Sequence, residues 1–157
     1  MKYLIWVMIL VASFSHPAMA GGEAPWGSAE SLKIEYQPSK VVYDLFTGNE
    51  EDLANILDRL GYLYQLTGSD SLDSSIVVVI HGDSIPFFAI SEWGKYKELM
   101  KRAQSLTIGT SIEFRMCQAA ARMRGLEPKD IHGFVKMVPM ADAELVRLQH
   151  EGYAYMQ

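Results

Sequence analysis

The run Ser75-Ile76-Val77-Val78-Val79-Ile80-His81 constrains this chain more than any other segment. Its β-branched residues favour an extended backbone, and they are apolar on both alternating faces. A strand of that kind must be covered on both sides. It belongs in the middle of a parallel sheet sandwiched between helices.

The flanking segments fit that placement. Lys40 to Phe46 is a short β-branched and aromatic run closed by Thr47-Gly48-Asn49. From Asn49, a helix cap, Leu53, Ile56, Leu57, Leu60 and Leu63 recur at helical spacing, with Glu50, Glu51 and Asp52 in the first turn and Gly68 as the stop. Ser91 is placed to cap a second helix carrying Trp93, Tyr96, Leu99, Met100 and Ala103. Thr110 to Arg115 alternates like a strand, Cys117 to Arg124 reads as a short helix, and His132 to Val138 reads as a fourth strand. A last helix follows Pro139 and carries Leu145, Leu148, Tyr153 and Tyr155. Alternation of this kind predicts βαβ units with right-handed crossovers. The expected fold is α/β, a flavodoxin-like three-layer sandwich with a mainly parallel sheet of four to five strands.

Before this domain come two segments of different character. Met1-Lys2, the apolar stretch Tyr3 to Phe14 and Ala18-Met19-Ala20 form the pattern of a secretory signal peptide, residues 1–20, cut after Ala20. The apolar stretch is short for a membrane span, so an uncleaved anchor is the lesser reading. Residues 21–39 are rich in Gly, Ser, Pro and Glu and read as a flexible arm. The expected location is periplasmic or secreted, with no membrane segment in the mature form.

Composition removes several function classes. A net charge of −5 leaves no electrostatic footprint for nucleic acid. A single cysteine excludes an internal disulfide framework, a cysteine-based zinc cluster and a CxxC redox motif. The histidines lack ligand spacing, so no metal and no cofactor is expected.

Ligands of open parallel sheets bind beyond the carboxyl ends of the strands. The sequence places Asp44 and Thr47 there after the first strand, His81 after the second and Cys117 after the third. Cys117 at a helix start is either an activated thiol or a small buried hydrophobe. Arg115 is placed to support its thiolate. His81 is either a base or a hydrogen-bonded strand-end histidine. Phe87, in the apolar stretch Ile85 to Ile90, is placed to wall a pocket or to join a subunit interface. Thr47-Gly48-Asn49 is a weak anion-binding signal. A soft copper site from Met116, Cys117 and Met123 is a minor reading, because Met116 and Met123 also have ordinary core spacing.

Four stretches, KVVYDLF (40–46), SIVVVIHGDSI (75–85), GTSIEFRMCQAAARMRGLEPKDI (109–131) and VPMADAELVRLQHEGYAYMQ (138–157), resemble the DsrE/DsrF-like family of sulfur-relay proteins, which includes the TusD-type subunits. The resemblance covers residues 40–157. It implies a parallel α/β sheet, assembly into a homotrimer or homohexamer, and a persulfide carried on the cysteine matching Cys117. It also implies a sulfur donor or acceptor protein as partner, and strand-end placement makes His81 and Asp44 the expected pocket neighbours of the thiol. The alternative is a non-catalytic oligomeric module that binds a small ligand or a partner segment, with a structural cysteine.

Overall fold

The computed structural model of the protein describes residues 25–67 and 73–157. The expected signal peptide and Gly68, read as the stop of the first helix, lie outside the described residues. The chain divides into two compact units between Lys33 and Ile34. In the first, residues 25–33 have no helix or strand.

The second unit holds the α/β architecture. Its strands are β1 (Lys40–Leu45), β2 (Ser75–Ile80), β3 (Ile112–Cys117), β4 (Val135–Val138) and β5 (Ala154–Met156). Its α-helices are α1 (Glu50–Leu66), α2 (Trp93–Leu106), α3 (Gln118–Met123) and α4 (Ala141–His150). The five strands form one sheet in the order β4-β3-β2-β1-β5, and every pairing is parallel. β2 is central, as its two apolar faces require. The fold is α/β and flavodoxin-like.

Side-chain alternation divides the core. On one face Tyr43, Leu45, Ile76, Val78, Ile80, Phe114 and Met116 pack with Leu53, Leu57 and Leu60 of α1 and Met100 and Ala103 of α2. On the other, Val42, Val77, Val79 and Cys117 pack against Ala141, Leu145 and Leu148 of α4. The chain steps from β1 to β4 in one direction and then returns across the sheet to place β5 beside β1. With right-handed crossovers, that reversal sends α4 to the opposite face from α1 and α2.

Two elements depart from the sequence reading. Ser91 does not cap α2. Residues 82–88 and 90–92 form 3₁₀ turns, and α2 starts at Trp93 with no side-chain cap. The cause is burial: Ile85, Phe87 and Phe88 draw this stretch into the core around Pro86. The C-terminal aromatics do not extend the last helix. α4 stops at His150, Gly152 takes a φ of +88°, and Tyr155 lies on β5.

Phe88 is fully buried, with its ring 5.9 Å from that of Phe114 and 6.3 Å from that of Phe134. Phe88→Ala is expected to lower the unfolding free energy by about 3–5 kcal/mol. Urea unfolding followed by circular dichroism measures this.

Candidate functional site

Asp44, His81 and Cys117 reach one rim of the sheet by strand periodicity. Asp44 lies two residues after Val42, His81 two after Val79, and Cys117 two after Arg115, so all project toward the α4 side. β2 and β3 pair in register up to Ile80 opposite Met116. His81 continues the extended backbone, with its N–H bonded to the Leu45 carbonyl at 2.9 Å. His81, just past the end of β2, and Cys117, the last residue of β3, therefore stand one step beyond the last β2–β3 pair.

The turns beyond the strands are tightly built. Gly82 has a φ of +55°, and a Cβ there would lie 3.4 Å from the Cβ of Phe46. A Cβ on Gly48 would come within 3.1 Å of the Asp83 Cβ. The Ser84 hydroxyl donates to the Thr47 carbonyl at 2.7 Å. These contacts hold the loop after β1 against the loop after β2 and so fix where His81 projects.

The imidazole of His81 is bonded through Nε2 to Oδ1 of Asp44 at 2.6 Å. The second carboxylate oxygen of Asp44 accepts from the hydroxyl of Tyr155 at 2.7 Å. The ring of Phe46 lies 5.8 Å from that of His81. Hydrogen bonding to Asp44, together with burial, raises the pKa of Tyr155, so its hydroxyl remains a donor through neutral pH. Helical spacing from Leu145 hides Tyr155 as a site residue, because it carries the tyrosine into the last helix. The alternation of Tyr153-Ala154-Tyr155-Met156 directly after Gly152 is the strand signal that would have found it.

Cys117 ends β3 and caps α3, with its sulfur accepting the Ala120 N–H at 3.4 Å. It is 5% exposed. It lines a cleft of about 240 Å³ together with His81, Ala119, Ala120, Met123, Met140, Ala141 and Asp142. Thiol and imidazole thus share one cleft, with α3 and the first turn of α4 as its other walls.

The remaining candidates sit elsewhere. Arg115 does not serve the thiol. Its guanidinium bonds Glu113 at 2.7 Å and Glu144 at 2.5 Å. Burial works against its charge, and these bonds outweigh burial, so its pKa is raised. The i, i+2 spacing of Glu113 and Arg115 puts them on one face, where Glu144 of α4 meets them. Phe87 walls no cleft at the thiol: it is buried on the other side of the sheet, edge-on to Tyr96 at 4.7 Å.

Thr47 belongs to the start of α1. Its hydroxyl donates to Asp52 at 3.0 Å and accepts from the Asn49 N–H at 3.1 Å. Asn49 in turn accepts from the N–H groups of Glu51 and Asp52, so the cap that was a weak anion signal closes on itself. Thr47 also lines a second cleft of about 350 Å³, with Asp44, Arg59 and Gln157 among its walls. The copper trio is not assembled, because Met116 is fully buried on the opposite face. Among the described residues there is no group of three His, Cys, Asp or Glu side chains able to hold a metal.

The sequence matches the DsrE/DsrF-like family over residues 40–157, three quarters of the chain. The chain belongs to the DsrE/DsrF-like family. A solved structure from Methanobacterium thermoautotrophicum, the protein of unknown function MTH1491, is similar in fold. The two superpose with a TM-score of 0.61 at 19% sequence identity, covering 75% of this chain and 97% of that one. No curated protein matches the chain. Among the described residues no helix is long and apolar enough to cross a membrane.

Glu144 supplies a test of what holds the α4 wall. Hydrogen bonds from Arg147 lower its pKa, burial opposes them, and Arg115 adds to the lowering, leaving it at about 2 against an ordinary 4.5. A depressed carboxylate contributes stability that is complete above the unfolded value and lost as pH falls through the folded one. Stability is expected to drop by on the order of 2 kcal/mol between about pH 5 and pH 2 from this group. Glu144→Gln should flatten that part of the curve, measured by urea unfolding across the same pH range.

Proposed function

We propose that the protein is a DsrE-like sulfur carrier that holds sulfane sulfur as a persulfide on Cys117. The family is associated with sulfur relay, and the supporting observation is the cleft that Cys117 shares with His81, itself held by Asp44. In the first half-reaction the Cys117 thiolate attacks the outer sulfur of a donor persulfide. A new S–S bond forms to Cys117, the donor's S–S bond breaks, and the donor leaves as a thiolate that takes up a proton. In the second, an acceptor thiolate attacks the outer sulfur on Cys117, which returns to thiolate. No net oxidation occurs in either step. The chain has one cysteine, so no internal disulfide can discharge the carrier.

Homotrimeric or homohexameric assembly, export with cleavage after Ala20, and a protein partner as sulfur donor or acceptor complete the proposal. Sedimentation at micromolar concentration tests the assembly. N-terminal sequencing of the secreted form, expected to begin at Gly21, tests the export.

Two observations favour the second reading, a binding module with a structural cysteine: the 5% exposure of Cys117 and its capping bond to Ala120. Incubation with polysulfide followed by intact mass measurement separates the two. The carrier gains the mass of one sulfur atom, and Cys117→Ser gains nothing. An unmodified wild type, or equal labelling of Cys117→Ser, favours the binding module.

A further inference from the structure

We propose that Asp44 and Tyr155 are positioning residues that hold His81 in the tautomer whose basic nitrogen, Nδ1, takes the proton of Cys117. The inference rests on Cys117 being the working thiol and adds the base and its orienting chain. A carboxylate only accepts hydrogen bonds, so the 2.6 Å bond to Asp44 places the proton of a neutral His81 on Nε2. Tyr155 occupies the other carboxylate oxygen at 2.7 Å and thereby sets the rotation of the carboxylate. One hydroxyl from β5 thus orients a base just beyond β2 through a carboxylate on β1.

The proton transfer breaks the S–H bond of Cys117 and forms an N–H bond at Nδ1, with no change of oxidation state. The resulting imidazolium is bonded to Asp44 and shares the cleft of the thiolate, and both negative groups favour its charge. Other charged groups stand nearby, and Arg59 and Asp52 share the second cleft with Asp44. Asp142, in the first turn of α4, lines the same cleft. Asp83 is paired with Arg124 at 2.7 Å, and Arg115 is held by Glu113 and Glu144.

The test is the pH dependence of iodoacetamide alkylation of the full chain. It compares wild type, Tyr155→Phe, Asp44→Asn and His81→Gln, with Tyr153→Phe as control because its hydroxyl bonds Ser75 instead. The wild-type profile is expected to show a limb of reactivity below the range of a free thiol. His81→Gln should abolish that limb. Tyr155→Phe and Asp44→Asn should reduce it, the former by about threefold to tenfold, the equivalent of one hydrogen bond, with the high-pH plateau unchanged. Tyr153→Phe should match the wild type. A reactive thiol with superimposable profiles for wild type, Tyr155→Phe and Asp44→Asn overturns the positioning chain while leaving the carrier intact. A wild-type thiol that resists alkylation at every pH overturns both. Polysulfide labelling reads the carrier independently of this profile.

Discussion

The docking of α4 on the sheet is the contact on which the site depends. Ala141, Leu145 and Leu148 pack on Val42, Val77 and Val79, and Glu144 bridges Arg115 on β3 and Arg147 on its own helix. The apolar part supplies the larger share of the free energy, since each buried leucine contributes about 1.5–3 kcal/mol. The ion pair does something else. A buried pair seldom adds net stability, but breaking one leaves an uncompensated charge, at about 3–5 kcal/mol. Sliding α4 along its axis would break it. The apolar contact therefore holds the helix down, and the ion pair sets its register.

That register matters because α4 delivers both ends of the site. Its first turn, with Met140 and Ala141, forms a wall of the Cys117 cleft. Its far end leads through Gly152 into β5, which carries Tyr155 to Asp44. The pairing of Val42 with Tyr155 then fixes the height of the tyrosine hydroxyl on the rim. A thiol on β3, an imidazole just beyond β2, a carboxylate on β1 and a phenol on β5 thus come together at one rim of the sheet, with α4 packed on this face.

Much of this was legible in the sequence. The doubly apolar β2 demanded a parallel sheet, and strand-end placement brought Asp44, His81 and Cys117 to one rim. What was not legible depended on partners far along the chain. Arg115 looked free beside the thiol, and only the crossing of α4 shows Glu144 meeting it. Phe87 looked like a pocket wall because hydropathy does not say on which side of the sheet an apolar residue is buried. Tyr155 is hidden because the helical spacing from Leu145 does not show where it stops, and the positive φ of Gly152 lets the chain leave the helix there.

The loss of Arg115 as a partner changes the electrostatics of the thiol. Among the residues lining the cleft, His81 is the one able to carry a positive charge, and Asp142 carries a negative one. A thiolate there without compensation would face Asp142 in a partly desolvated space. Opposite charges in a partly desolvated space attract, so an imidazolium in the same cleft offsets the repulsion from Asp142. Asp44 in turn lowers the cost of the imidazolium, and its 2.6 Å bond uses the nitrogen that is not needed for the thiol. In the proposed step, charge at this site is created by moving one proton from Cys117 to His81 inside the cleft they share. No permanent cation beside the sulfur is then required, because the imidazole of His81 supplies the positive charge.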